Sequence, residues 1–261
     1  MTDAQLALVT GASSGIGLEL ARLLARNGYD VVVAAEDDGI HQVPDLLAEF
    51  GRDVQPVQVD LRTAVGVEKL FHHATESGRP LAVAALNAGV GRGDMFLKSE
   101  LQDDLDIIDL NVRSTMHLAK LVLRDMANRG TGKVLFTSSV ASMMPGSYQT
   151  VYNASKSFVQ SFAKALQDEL RNSAITVTLL LPGPTDTDFF ARAKMLNTPV
   201  GKMSKDDPAE VARQGFDALM RGDKQVVAGS LSSKMIGTVS RVLPDSVKAA
   251  GSRLISAPLG R

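Results

Sequence analysis

The stretch LALVTGASSGIG, residues 6–17, decides the fold. It opens with Leu6–Val9, a short apolar run of the kind that is buried on both faces of a parallel sheet. A turn with three glycines follows, and apolar residues then recur at helical spacing from about Ile16 to Asn27. Glycines let the main chain approach a ligand, and a helix start offers unpaired N–H groups to an anion. The stretch therefore predicts a strand, a phosphate-binding turn and a helix, with a tight turn that binds nothing as the alternative.

The rest of the chain repeats this alternation of strand and helix. Further strands are predicted at 31–35, 54–59, 81–86, 134–136, 175–181 and 226–228. Helices are predicted through 46–50, through 118–126, from about 151 to 171 and from 208 to about 220. The pattern indicates an α/β fold, a doubly wound parallel sheet with helices on both faces, in a single domain.

Two segments depart from the alternation. An insertion over about 187–207 separates the sixth strand from the next helix. We assign it to the main domain, residues 1–230, and treat residues 231–261 as a helical tail. The tail has apolar residues at roughly helical spacing, namely Met235, Ile236, Val239, Val242 and Leu243. We expect this tail to pack on the same domain; the alternative is a membrane or partner surface.

Composition excludes several classes of protein. The 28 basic and 29 acidic residues leave a net charge of -1, which gives no general attraction to nucleic acid. There is no cysteine, hence no disulfide and no thiolate chemistry, as suits a reducing compartment. No apolar run is long enough for a membrane span or a signal peptide. Together with the lack of cysteine, this predicts a cytoplasmic protein. The four histidines show no metal-ligand spacing, so we predict no metal site.

Six segments, taken in order, resemble the motifs of the short-chain dehydrogenase/reductase family. The first is TGASSGIG, residues 10–17. The others are Asp60-Leu61, Asn87-Ala88-Gly89, Asn111, Tyr152-Asn153-Ala154-Ser155-Lys156, and Pro182-Gly183 with Thr187. The resemblance covers residues from about 6 to 230. It implies a Rossmann-like fold and an NAD(P)-dependent enzyme that interconverts a secondary alcohol and a ketone or aldehyde.

Tyr152 and Lys156 carry the predicted chemistry. Four residues apart on a helix, they share one face, about 6 Å apart along the axis. A free phenol has a pKa near 10, and bringing it toward 7 requires about 4 kcal/mol of preferential stabilisation of the phenolate. We expect the lysine ammonium and a positively charged nicotinamide ring to lower the pKa of Tyr152 in this way.

The resemblance assigns the remaining catalytic roles. Ser139 would bind the substrate oxygen, with its neighbour Ser138 as the rival. Asn111 would bend its helix and hold a water that links Lys156 to solvent; the alternative is that it satisfies a local backbone group. The family pattern also implies the cofactor contacts. They are Gly11, Ser13, Ser14, Gly15, Ile16, Gly17, Asp60, Leu61, Asn87, Ala88, Gly89, Tyr152, Lys156, Pro182, Gly183, Thr185 and Thr187. For Asp60, a simple helix N-cap is the alternative.

The end of the second strand should choose between NAD and NADP. The sequence there is Ala35-Glu36-Asp37-Asp38. Ala35 stands where family members that use NAD often carry an aspartate, and Glu36 stands where members that use NADP often carry an arginine. A carboxylate about 5 Å from a 2′-phosphate would repel it by roughly 3 kcal/mol per unit charge at an effective dielectric of 20. No cation that would offset this repulsion is visible in the sequence. We therefore favour NAD, with Glu36 or Asp37 binding the ribose hydroxyls.

The function that follows is hydride exchange with an apolar small molecule under the lid formed by the insertion. A non-catalytic nucleotide-binding regulatory protein on the same fold is the alternative, and it would be expected to lack Ser139, Tyr152 or Lys156. Epimerisation and dehalogenation fit the glycine spacing less well. By resemblance alone, the protein is expected to form a homodimer or homotetramer through the helices that hold Asn111 and Tyr152.

Overall fold

A computed structural model describes residues 4–230 and 244–259. Its strands form one seven-stranded sheet in the order β3-β2-β1-β4-β5-β6-β7, and every neighbouring pair is parallel. The strands are β1 Leu6–Thr10, β2 Asp30–Ala35, β3 Val54–Gln58, β4 Leu81–Leu86, β5 Gly132–Thr137, β6 Ile175–Pro182 and β7 Gln225–Ala228. The predicted fold class, a doubly wound parallel sheet, is confirmed.

Helices cover both faces of the sheet. Those of the main body are α1 Gly15–Arg26, α2 Val43–Leu46, α3 Ala64–Thr75, α4 Leu101–Ile108, α5 Thr115–Arg129, α6 Thr150–Glu169 and α9 Pro208–Arg221. One face packs against α1, α2 and α9, and the other against α3, α5 and α6. Because successive side chains of a strand point to opposite faces, Leu8 belongs to one core and Val9 to the other. Both are fully buried, which explains why Leu6–Val9 of β1 are all apolar.

The predicted helix through Leu46 and Phe50 is broken in the structure. Only Val43–Leu46 is α-helical, with 3-10 turns at Asp38–Gln42 and Ala48–Phe50 on either side. Gly51 ends the segment with a φ of 59°, a left-handed conformation that glycine adopts without strain.

The helix before α5 was not predicted. Chain 101–129 runs as α4, a π-helical segment Asp109–Ser114, and then α5. A π segment holds one extra residue in its turn and bends the helix at that point. Asn111 lies in this segment and is fully buried, so it sits at the bend that the family resemblance implies.

The insertion after β6 has a small core of its own. It contains α7 Phe189–Arg192 and α8 Pro199–Lys202, which enclose Phe190, Ala193, Met195 and Val200. A last helix, α10 Asp245–Ser256, lies beside α8. The backbone N–H of Leu259 donates to the carbonyl of Asn197 at 2.9 Å. The five tail residues with helical spacing, 235–243, lie outside the described residues.

Membrane-spanning helices and metal-binding clusters are both absent from residues 4–230 and 244–259. None of the helices there combines the length and the apolar character needed to cross a membrane. No group of three or more metal-binding side chains is arranged to hold a metal ion in the same ranges.

Candidate active site

A cleft of about 280 Å³ opens at the carboxyl ends of the strands. The strand order reverses between β1 and β4, and open α/β sheets bind their ligands at such a point. The cleft is lined by all of the predicted catalytic and cofactor residues except Asn111. The fold thus brings predicted residues together from seven separate segments of the chain.

The glycine turn is shaped for close approach of a ligand. Gly11 and Gly15 have φ angles of 65° and 56°, and a Cβ on Gly17 would lie 2.0 Å from the carbonyl oxygen of Gly11. Within the described chain, the side chain of the N-cap residue Ser14 makes no capping hydrogen bond. The first turn of α1 also has no acidic residue, so its N–H groups and dipole remain available to an anion. This turn fits the pyrophosphate of a dinucleotide.

Tyr152 lies in the first turn of α6 with its hydroxyl hydrogen-bonded to the side chain of Ser139. The Ser139 oxygen also accepts the backbone N–H of Ala141 at 3.1 Å. By contrast, the Ser138 hydroxyl donates to the backbone carbonyl of Lys156 at 2.8 Å. Ser138 therefore anchors the helix while Ser139 faces Tyr152, and the geometry favours Ser139 over its rival.

The pKa of Tyr152 shifts in the direction opposite to that expected from the sequence. Burial raises it to about 12, although the hydrogen bond with Ser139 lowers it in part. Burial also lowers the pKa of Lys156 to about 8. The Nζ atom of Lys156 donates to the carbonyl of Thr137 at 3.0 Å and lies 5.9 Å from the centre of the Tyr152 ring. The removal of water from the phenolate is therefore the main influence on the pKa of Tyr152, and the Ser139 hydrogen bond offsets only part of it.

Asn111 lies behind the cleft wall. Its side-chain oxygen accepts the N–H of Val90 at 2.9 Å, and its Nδ2 donates to the carbonyl of Val90 and to the Ser155 hydroxyl. The two contacts with Val90 match the alternative interpretation of Asn111, in which its side chain satisfies local backbone groups. A Cβ on Gly89 would lie 3.2 Å from the Asn111 oxygen and 2.9 Å from Lys156 Nζ. Only a glycine at 89 leaves the two side chains this close to the backbone.

At the adenosine end, the structure corrects the charge argument. Arg62 Nη2 lies 2.8 Å from Glu36, and the same guanidinium contacts Asp60 and Asp106. Partial burial raises the pKa of Asp60, but hydrogen bonds from Arg62 outweigh it and lower the pKa overall. The statement that no cation offsets the carboxylates was therefore wrong: Arg62 comes from the segment after β3, and nothing in the sequence placed it beside Glu36. The N-cap of α3 is Thr63, so Asp60 does not serve as that cap.

Asp37 is tied to the glycine turn. Ser13 Oγ donates to its Oδ2 at 2.8 Å, and the N–H of Gly39 donates to Oδ1 at 3.1 Å. Arg192 of the lid approaches the same carboxylate, with Nη2 3.9 Å from Oδ2. Asp37, which was predicted to bind the ribose, thus lies beside the glycine turn with a second cation near it that the sequence did not indicate.

The substrate end is walled by the lid and by α10. The ring of Phe189 packs on Tyr152 with centroids 5.1 Å apart, and a Cβ on Gly91 would lie 2.5 Å from Phe189. Gln149 Nε2 donates to the hydroxyl of Ser256 at 2.9 Å. Residues of this wall that sequence reasoning missed are Val90, Gly91, Gln149, Asn153, Val200, Ser252, Ile255 and Ser256. Those of α10 carried no motif, and the apolar spacing noted in the tail belongs to residues 235–243, outside the described residues.

A parallel sheet with a glycine turn and a buried Tyr–Lys pair at one cleft defines a nicotinamide-dependent oxidoreductase. The family model of the short chain dehydrogenases matches residues 5–196, which is more than half of the chain. The chain belongs to this family, as the motifs predicted, and it is an enzyme that acts on CH–OH groups.

Individual relatives agree with this assignment. A putative ketoacyl reductase of Streptomyces coelicolor is 33% identical over 210 residues, covering 78% of this chain and 80% of that protein. A short-chain dehydrogenase from Sphingobium yanoikuyae, solved with NADPH, has a TM-score of 0.78 at 27% identity and covers 85% of this chain and 86% of its own. A family member from Burkholderia phymatum, solved with NAD, shares the fold with a TM-score of 0.81 at 23% identity, covering 92% of each chain.

Proposed function

We propose that this enzyme reduces an apolar ketone or aldehyde to an alcohol, and catalyses the reverse oxidation, with Tyr152 as the proton donor and acceptor. One observation carries the proposal: the buried Tyr152 hydroxyl is bonded to Ser139 and borders the cleft beside Lys156. A bound nicotinamide would supply or accept the hydride at the substrate carbon.

The direction of the pKa shifts favours reduction at neutral pH. Because burial raises the pKa of Tyr152 to about 12, its hydroxyl keeps its proton and can give it to a carbonyl oxygen. Ser139 is placed to donate a hydrogen bond to the same oxygen. With a pKa of about 8, Lys156 is mostly protonated at pH 7, and its positive charge stabilises the negative charge that develops on the phenolic oxygen. Asn111 keeps the wall behind Lys156 in place.

For the cofactor we propose NAD. Glu36, Asp37 and Asp60 face the adenosine end with Arg62 and Arg192, which leaves an excess of negative charge around a 2′-phosphate. The preference should be modest because each arginine weakens the repulsion. The ratio of kcat/KM for NADH and NADPH tests it, and a clear NADPH preference would refute it.

For the substrate we propose a molecule with an apolar body, held by a lid over about 187–207. Phe189, Phe190, Met144, Val200 and Ile255 line that end of the cleft. The likeness to a ketoacyl reductase makes β-keto compounds the first class to assay. In this organisation residues 1–230 form the dinucleotide-binding catalytic domain, and α10, within the 231–261 tail, adds a wall to it.

We also propose a homodimer or homotetramer. Apolar side chains on α4, α5 and α6 remain exposed, with Leu101 at 71%, Leu105 at 44%, Met116 at 39% and Phe158 at 37%. Exposed apolar patches of this kind mark interfaces. Light scattering of the purified protein tests the assembly.

The variant Tyr152→Phe separates catalysis from the non-catalytic alternative. We expect it to bind NADH as the wild type does and to lose at least about 10²-fold in kcat, since general acid catalysis contributes this much. Tyr29→Phe is the matched control because Tyr29 packs on the core far from the cleft, and it should keep full activity. Unchanged turnover in Tyr152→Phe would remove this residue from the mechanism and leave the proposal without its main support.

A further inference from the structure

One cation at the cleft has no part in the proposed chemistry. Arg192 ends α7, and its guanidinium lines the cleft. Its Nη2 atom lies 3.9 Å from Asp37 Oδ2 at the end of β2 and 3.9 Å from Asp188 Oδ2 on its own segment. The side chain, 52% exposed, therefore reaches from the lid across to the adenosine end of the cleft.

The backbone under Arg192 is anchored, whereas its guanidinium is held loosely. The N–H of Arg192 donates to the carbonyl of Asp188 at 2.9 Å, and Arg92 donates to the carbonyl of Arg192 at 3.3 Å. Arg92 is itself fixed by an ion pair with Asp103. Both carboxylate distances of the guanidinium exceed hydrogen-bond length, so the side chain can change partners at little cost.

The groove that Arg192 crosses is the phosphate subsite. At one end of the lid, Thr187 packs so closely on Gly15 that a Cβ there would lie 2.7 Å from Thr187 Cγ2. At the other end, the partner carboxylate of Arg192 is bonded to Ser13 of the same turn. The start of α1, which suits an anion, lies between these two contacts.

We propose that Arg192 leaves Asp37 when the dinucleotide binds and donates to its pyrophosphate, so that lid and cofactor are held together. A phosphate oxygen at hydrogen-bond distance is a stronger partner for a guanidinium than a carboxylate at 3.9 Å. Asp37, relieved of this cation, is then free to accept a ribose hydroxyl. The inference rests on the proposed function, since it requires a nicotinamide dinucleotide as the ligand.

Calorimetric titration of Arg192→Gln with NAD, NADP and ADP-ribose, without substrate, tests the inference. All three ligands contain the pyrophosphate, so we expect each Kd to rise about tenfold, the effect of losing one charge-assisted hydrogen bond. Arg192→Lys should recover part of the affinity because the charge is retained. Arg171→Gln is the matched control: Arg171 is exposed after α6 and pairs with Asp168, and its variant should bind as the wild type does.

Three results would overturn the inference. Unchanged affinities in Arg192→Gln would show that the pair with Asp37 is only a surface ion pair. A loss confined to NADP would move the contact to the 2′-phosphate, and an equal loss in Arg171→Gln would reveal a general charge effect. Failure of the proposed function looks different, because the wild-type protein itself would then bind none of the three ligands, or would bind them and show no turnover, as the non-catalytic alternative requires.

Discussion

Replacing Lys156 by Met should make the protein more stable and inactive at neutral pH. Burial lowers the pKa of this lysine from 10.5 to about 8, so keeping it charged in the folded state at pH 7 costs about 3 kcal/mol. Met removes that cost. It also removes the hydrogen bond from Nζ to the Thr137 carbonyl, worth about 1.5 kcal/mol. The expected net gain in the free energy of unfolding is about 1.5 kcal/mol.

The stability difference between Lys156→Met and the wild type should depend on pH, which a difference in packing alone would not. Between about pH 8 and pH 10.5 the unfolded chain binds more protons at this lysine than the folded chain does, so the wild type gains stability as the pH rises. At pH 10 the penalty on the wild type falls to about 1 kcal/mol, while the lost hydrogen bond still affects the variant. The advantage of Lys156→Met should therefore vanish or reverse there.

Urea unfolding at pH 7 and pH 10, followed by circular dichroism, measures both differences. Lys164→Met is the matched control because Lys164 is exposed on the same helix. It should change stability little at either pH. A Lys156→Met protein that is less stable than wild type at pH 7, or whose advantage does not depend on pH, would refute the assignment of a buried, partly deprotonated lysine.

Three further predictions concern the cleft. Gly17→Ala should abolish dinucleotide binding in calorimetry, because its Cβ would lie 2.0 Å from a backbone oxygen, whereas Gly251→Ala, with open space around it, should bind normally; normal binding by both would contradict a close-packed turn. Ser139→Ala should lower kcat by about 10²-fold with only a small fall in melting temperature, from the lost bond to the Ala141 N–H. Ser138→Ala should keep its kcat and lose more in melting temperature, since its bond is to the backbone of α6; the reverse result would exchange their roles. The kcat for ketone reduction should be flat from pH 6 to 7 and fall above about pH 8 as Lys156 loses its proton, because Tyr152 keeps its own to about pH 12; a rate that rises through pH 8 would argue against an ammonium in the transition state.

Local sequence patterns predicted most of the sheet and many of the residues that line the cleft. Every strand was predicted, and for most of them the reason is that burial on both faces requires an apolar run, as in Leu6–Val9 of β1 and the whole of β4. The glycine turn and the Tyr152–Lys156 spacing could be recognised for a related reason: each depends on residues within one short segment. Features that lie within one short segment could therefore be predicted from the sequence.

Contacts between distant segments were the part that sequence could not supply. Arg62 pairs with Glu36 across 26 positions, and Arg192 reaches Asp37 across 155. Ion pairs between surface residues leave no periodic pattern, so the charge around the ribose position was misjudged. The burial that raises the pKa of Tyr152 could not be anticipated either, because it depends on how completely the fold removes water from one hydroxyl.

The cleft takes its walls from the ends of six different strands, at Gly11, Glu36, Asp60, Asn87, Ser139 and Gly183. A dinucleotide lying there would act as a crosslink among segments that are remote in the chain. The dinucleotide concentration would then set how often those segments unfold together. At one hundred times Kd, binding would raise the free energy of unfolding by about 2.7 kcal/mol. Cofactor supply would in this way govern the susceptibility of the enzyme to proteolysis as well as its turnover.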